Sequence, residues 1–291
     1  MRSVNILFLT LFLGLIPFTL SAQKNIMFFQ TDWGNELPMD AFLAKVKAQG
    51  YDGIEVWMPA LDEAKAKLKS GLKKYDLKVI FLNGTNRGLA FKEALKSYEE
   101  GLKEILLWEP FKVNNHTGND FWTEDQNLAF IEVADKLSKE SGIPIMHETH
   151  RGRFSYNLPA AISMLERFPD LKYTLDISHW MVVHERLINI NDPNLQKIKP
   201  SVSHIHARVG FAEGPQINNP EAPEWDNAVK IHIDIWEEII RNSEGDLFTI
   251  TTEFGPPPYL PTSPFTNQPL ADQWEANIYI MKAIKERFSN D

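Results

Sequence analysis

Ile143-Pro-Ile-Met-His-Glu148 is a short apolar run that ends on a carboxylate. Three later stretches repeat its grammar: Tyr173-Thr-Leu-Asp176, Val202-Ser-His-Ile-His206 and Leu247-Phe-Thr-Ile-Thr-Thr-Glu253. Each reads as a buried strand closing on a residue able to hold a metal. The closing residues follow one another at intervals of 28, 30 and 47 positions, which leaves room for a helix between strands. Such βα units build a parallel barrel, whose strand ends all open on one face. Alternation along a strand puts Met146 with Glu148, His204 with His206 and Thr251 with Glu253 on shared faces. Glu148, Asp176, His206 and Glu253 are therefore expected to converge at the mouth.

Upstream, strand-like runs at Asn25–Gln30, Gly53–Trp57, Leu77–Asn83 and Phe111–Asn115 bring the number to eight. Amphipathic stretches separate them, at 38–49, 61–74, 91–108, 124–141, 156–168, 186–199, 225–241 and 268–288. In the second of these Ala64, Leu68 and Leu72 recur at four-residue spacing among lysines. Thr123 stands three residues before Gln126, a capping-box pattern, and Gly142-Ile-Pro144 ends one helix and begins a strand. The expected fold class is α/β, a single (β/α)8 barrel preceded by a cleavable signal peptide. Two long loops, 210–224 and 254–269, follow the seventh and eighth strands and should shape access to the mouth.

Met1-Arg-Ser-Val-Asn5 carries one positive charge, and Ile6 to Ile16 is an apolar run short for a bilayer. Ser21-Ala22 then offers a cleavage site. The expectation is a signal peptide over 1–22 and a barrel domain over 23–291. The mature protein would be exported, to a periplasm in a Gram-negative host or to the medium, without stable membrane association after cleavage. Cysteine is absent, so disulfides and thiolate ligands are excluded. A net charge of −9 argues against nucleic acid as partner, since phosphate backbones need a basic footprint. A neutral small molecule is the better partner, and a homo-oligomer is compatible with the sequence.

Glu148, Asp176 and Glu253 would gather three negative charges in a closed site, more than an apolar interior tolerates unneutralised. One divalent metal ion resolves this. Three carboxylates with one imidazole favour Mn2+, with Mg2+, Co2+ or Zn2+ as alternatives.

The order Glu, Asp-x-x-His, His-x-His, Glu resembles the xylose isomerase-like TIM barrel superfamily, and within it the sugar phosphate isomerase/epimerase-type branch of ketose 3-epimerases and hydroxypyruvate isomerases. Glu148-Thr-His-Arg-Gly152, Leu175-Asp-Ile-Ser-His179 and His204-Ile-His206-Ala carry the likeness, with Tyr51-Asp-Gly-Ile-Glu55 and Asn115-His116-Thr-Gly as weaker marks. It extends over essentially the whole mature chain. The resemblance implies that Glu148, Asp176, His206 and Glu253 bind the metal, and that Glu148 and Glu253 exchange protons with opposite faces of a substrate carbon. Elementary chemistry agrees. A cation holding a carbonyl and the adjacent hydroxyl acidifies the C–H between them through an enediolate, and a nearby carboxylate can take that proton. Return on the other face is epimerisation; return at the neighbouring carbon is isomerisation.

By the same resemblance His179 contacts a substrate oxygen. His116, His150, Arg151, Glu55 and Trp33 are further substrate-binding candidates, with Glu55 alternatively orienting a ligand from behind. Trp122, Trp180 and Trp225 join Trp33 as rim indoles able to stack on a sugar. His204 is expected one layer below His206. Phosphate-handling relatives differ in one respect, because Phe254-Gly-Pro-Pro-Pro258 stands where a Gly-rich phosphate cradle would follow the eighth strand. An unphosphorylated sugar or glycoside is therefore the expected carbohydrate substrate. The alternatives are a metal-dependent lyase acting by β-elimination on 3-keto-glycosides, and a non-catalytic sugar-binding barrel. Apurinic-site endonucleases of the superfamily carry more histidine ligands than these strand ends supply.

Overall fold

The computed structural model describes residues 24–289, so the leader expected over 1–22 lies outside the described residues. Eight strands close a barrel in sequence order: β1 (Asn25–Thr31), β2 (Gly53–Trp57), β3 (Lys78–Gly84), β4 (Lys112–His116), β5 (Ile145–Glu148), β6 (Tyr173–Leu175), β7 (Val202–Ala207) and β8 (Leu247–Thr252). All neighbours are parallel, and β8 returns to pair with β1. Around them run α1 (Met39–Ala48), α2 (Asp62–Tyr75), α3 (Phe91–Leu106), α4 (Glu124–Ser141), α5 (Leu158–Arg167), α6 (Ile177–Val183), α7 (Pro193–Ile198), α8 (Asp226–Asn242) and α9 (Gln273–Ser289). The architecture is the α/β barrel that the alternation predicts.

Outward-facing strand residues such as Phe81, Ile205 and Ile250 bury against the helices. Helix α3 meets them with Ala94, Tyr98, Leu102 and Ile105, a stripe at helical spacing. Thr123 and Gln126 form the expected capping box, and Gly142, at φ 72, ends α4 in the left-handed conformation that glycine adopts without strain.

Three boundaries move. The stretch 186–199 is not one helix: β6 stops at Leu175, and Asp176 caps α6 by accepting from the Ser178 amide at 3.0 Å. The chain then runs irregularly until Asp192 caps α7, where Pro193 is the first helical residue and can have no helical partner for its nitrogen. Helix α9 starts at Gln273, later than expected, because 268–270 folds back on 261–263 with Ser263 donating to the Gln268 carbonyl at 2.8 Å.

Register sets the layers inside the barrel. Asn114 pairs with Met146, and His206 with Thr251. The interior at this height is polar, a departure from the aliphatic filling usual in such barrels.

Candidate active site

Glu148, Asp176, His206 and Glu253 come together at the C-terminal end of the barrel, with one ligand atom from each lying within 4.8 Å of the others. Glu148 is the last residue of β5, His206 sits near the end of β7, and Asp176 and Glu253 immediately follow β6 and β8. His206 Nδ1 is 2.9 Å from Glu253 Oε2 and 3.5 Å from Glu148 Oε2. All four are buried or nearly so.

A second set lies directly behind. Glu55 on β2 accepts from His206 Nε2 at 2.9 Å, from Asn114 Nδ2 at 3.0 Å and from the Thr251 hydroxyl. The network fixes a proton on His206 Nε2, so Nδ1 is the nitrogen that faces the mouth, where a cation would take the place of its proton. Asn114 also donates to Glu148 Oε2 at 2.9 Å and so ties the two sets together. His204 lies one layer down, as expected, with Nδ1 2.7 Å from Thr249 Oγ1 and Nε2 3.3 Å from Glu55 Oε2. Glu55 thus stands behind His206 and touches it, the orienting position.

The charges need neutralising. Burial works against a charged His206, but Glu253, Glu55 and Glu148 outweigh it and hold its pKa well above the ordinary value. Burial pushes Asp176 up to about 7, against the pull of Arg208 and with the help of Glu253 and Glu148. Glu148 and Glu55 go the other way: burial alone would raise them, yet His116 and His206 hold Glu148, and His206 and His204 hold Glu55, below the usual carboxylate range. Glu148 Oε1, His206 Nδ1 and Glu253 Oε2 are buried without a hydrogen-bond partner. Three carboxylates gathered with His206 leave a place that demands positive charge. Oxygen donors with one imidazole, itself anchored to a carboxylate, suit a hard divalent cation, and the residues present fit one.

The walls come from neighbouring strands and loops. His116 Nε2 is 2.8 Å from Glu148 Oε2. His150 packs, tilted, between His116 and His179, at ring separations of 4.8 and 3.9 Å, and burial together with the His116 charge pushes its pKa down to about 3. His179 is fully buried in the first turn of α6, with Nδ1 unpartnered and Nε2 2.9 Å from Arg208 Nη2. Arg151 donates to the Tyr259 hydroxyl at 3.0 Å. Trp33 packs edge-on against Tyr259 at 4.9 Å, lying over Gly255 where a Cβ would meet its ring at 2.2 Å.

The other three rim candidates pack elsewhere. Trp180 is fully buried, because the helix begun at Asp176 turns it into the core, where its indole donates to the Ser155 carbonyl at 2.9 Å. Trp122 packs on Phe91 and Phe130 in the helix layer. Trp225 packs on Phe211, 4.9 Å away, and donates to Asn218.

Asn114 and Tyr259 were not foreseen from the sequence, and two further site residues were missed. Arg208, almost wholly buried, donates to Asp176 Oδ2, lies 3.7 Å from Glu253 Oε2 and sits over the Tyr259 ring at 4.8 Å. Trp57 meets His116 edge-on at 5.4 Å. Period two from His206 and from Glu55 points to both. Separate grooves of about 580 and 470 Å3 open on the opposite face of the barrel, share Lys112, Lys172 and Ser203, and include none of the four ligand candidates.

The profile of the xylose isomerase-like TIM barrel family matches residues 43–214. The chain belongs to this family. Among curated proteins, no sequence match was found. Solved structures similar to this xylose isomerase-like barrel include the D-allulose 3-epimerase from Methylomonas sp. in complex with D-allulose, 14% identical, with a TM-score of 0.61 over 91% of this chain and 98% of that one. The AP endonuclease, family 2 from Brucella melitensis is 16% identical, with a TM-score of 0.58 over 88% and 98%. The 3-keto-D-glucoside 4-epimerase from E. coli is 13% identical, with a TM-score of 0.57 over 90% and 100%. Likeness at such identities establishes the barrel and leaves the reaction to the site.

Proposed function

We propose that this protein is an exported, divalent-metal-dependent isomerase or epimerase of an unphosphorylated sugar or glycoside, acting by proton transfer next to a carbonyl. One observation carries the reading: Glu148 and Glu253 enter from β5 and from the end of β8, and both flank His206 Nδ1 in a single buried cluster. Two carboxylates reaching one centre from different strands can serve two faces of a carbon, which a binding protein has no need of.

Glu148, Asp176, His206 and Glu253 would hold the ion, with Mn2+ the first choice, and its contribution is to polarise a carbonyl and the hydroxyl beside it. The rest falls to the chain. Glu253, whose Oε2 faces His206 Nδ1 at 2.9 Å, is the base that takes the proton. Glu148 is restrained by Asn114 and His116, and returns a proton from the other side with His116 as its exchange partner. Arg208 and His179 offer donors to a substrate oxygen, while Trp33 and Tyr259 close the wall against water.

The deciding experiment uses protein loaded with Mn2+ in deuterated water, with a panel of ketoses, aldoses and 3-keto-glucosides read by NMR for loss of a C–H signal. Exchange that chelation abolishes and Mn2+ restores is the expected result. Silence over the whole panel, from protein shown to carry one ion per chain, would leave a sugar-binding barrel. Release of an aglycone from a 3-keto-glucoside would make the second half-reaction an elimination.

A further inference from the structure

Seven of the ten large apolar side chains exposed among the described residues belong to the C-terminal strand ends or to the loops that follow them, on the face that carries the site. Four stand in adjacent sectors: Trp57 and Leu61 after β2, Leu89 after β3 and Phe121 after β4. Trp57 is 48% exposed, and the other three range from 36% to 91%. Surface this apolar, gathered on one side of a site mouth, usually marks a contact.

Trp57 joins this patch to the chemistry. It shares the inward face of β2 with Glu55 and meets His116 edge-on, and His116 in turn touches Glu148. Room for the indole comes from Gly84 on the next strand, where a Cβ would lie 3.0 Å from the Trp57 ring and 3.4 Å from His116 Cβ. One ring therefore separates the ligand cluster from half-exposed indole, and apolar loop tips stand in the same and the next two sectors. A free sugar is polar on nearly every edge and has no use for Leu61, Leu89 and Phe121.

We propose that Trp57, with Leu61, Leu89 and Phe121, forms a subsite for an apolar, aromatic-sized aglycone, so that the substrate class is a glycoside rather than a free sugar. The assignment rests on the reading of the ligand cluster as a sugar-transforming site. It commits Trp57 to substrate because Trp57 reaches that cluster through His116.

The test compares the phenyl and methyl glycosides of one keto-sugar in the Mn2+-loaded protein, by deuterium exchange and by saturation-transfer NMR. The phenyl compound should be favoured by about tenfold or more in kcat/KM, chiefly through KM, in line with apolar-pocket discrimination. In Trp57→Ala that ratio should fall towards one, and in Phe121→Ser it should fall partway. Equal use of the two glycosides by the wild type, or a ratio that Trp57→Ala leaves unchanged, overturns the subsite. A dimer that dissociates in Leu61→Ser while the ratio stays put assigns the patch to a second copy and overturns it equally. If no compound exchanges, saturation transfer to the phenyl protons still decides. A signal lost in Trp57→Ala keeps the subsite while the proton-transfer reading fails, and no signal in the wild type removes both.

Discussion

His206 Nε2 donates a hydrogen bond to Glu55 Oε1 across 2.9 Å, and that bond decides which nitrogen faces the mouth. A carboxylate behind an imidazole fixes the tautomer and raises the basicity of the far nitrogen. Glu55→Gln keeps an acceptor but removes the charge. Affinity for Mn2+ should fall by roughly 10–100-fold, the usual effect of losing such a partner, with the fold intact. Competition against a fluorescent chelator measures it. An unchanged affinity would demote Glu55 to barrel filling.

Arg208 supplies positive charge to the same carboxylates from the side. Its guanidinium is bonded to Asp176 and lies near Glu253, with burial, which disfavours its charge, overcome by those neighbours. Arg208→Met leaves Asp176 without its buried counter-charge, a loss that typically costs about 3–5 kcal/mol. Chelated protein should melt lower by a corresponding amount. Added Mn2+ should recover more stability in the variant than in the wild type, since a cation on the same oxygens replaces the missing charge. Equal Mn2+ shifts in both proteins would show that Arg208 and the ion act independently.

How far the sequence reveals this site follows from one rule, alternation along a strand. That rule brought Glu148, His206 and Glu253 to the mouth from distant segments, and the structure gathers them with Asp176. Arg208 lies one step beyond His206 on the same face, and Trp57 one step beyond Glu55. Neither is a ligand type, so metal-ligand chemistry does not single them out. Trp180 misled for the opposite reason. Distance from the end of β6 suggested the rim, but Asp176 starts a helix at once, and four residues of helix return the indole to the core. Side-chain capping decides that turn, and a lone Asp does not announce whether it caps or ligates. Here its Oδ1 caps and its Oδ2 faces Arg208.

His232 reports on acid. It lies buried in α8, donating from Nδ1 to the Ala228 carbonyl at 2.8 Å and accepting the Gly210 amide at Nε2 at 3.1 Å, which anchors the loop after β7. Only the neutral ring can do both. Burial pushes its pKa down from 6.5 to about 4, slightly opposed by the Ala228 carbonyl. A folded pKa below the unfolded one means stability that is present above pH 6.5 and lost as pH falls through about 4. The full effect is on the order of 3 kcal/mol. Other buried histidines titrate as well, so the informative quantity is the difference between wild type and His232→Gln in urea unfolding. The wild-type advantage should shrink as pH drops from 7 to 4. Parallel curves would clear His232 of any part in acid sensitivity.

Glu148 and Glu253 should prove unequal when each is replaced by glutamine. Glu148 Oε2 already accepts from Asn114 and faces His116, and the His116 and His206 charges outweigh burial to hold its pKa low, so it begins as a weak base. Glu253 Oε2 has neither Asn114 nor His116 on it and faces His206 Nδ1 at 2.9 Å. Glu253→Gln should therefore abolish uptake of solvent deuterium, by roughly 10²–10⁴-fold for loss of a general base, while Mn2+ stays bound through the amide oxygen. Glu148→Gln should spare the first abstraction more than the return, so exchange at the abstracted position survives better than net conversion to the isomer. Both rates come from one NMR time course, with bound Mn2+ counted by elemental analysis. Should Glu253→Gln exchange deuterium at the wild-type rate with its ion in place, the base lies elsewhere, and the proton path drawn through Glu253 is wrong.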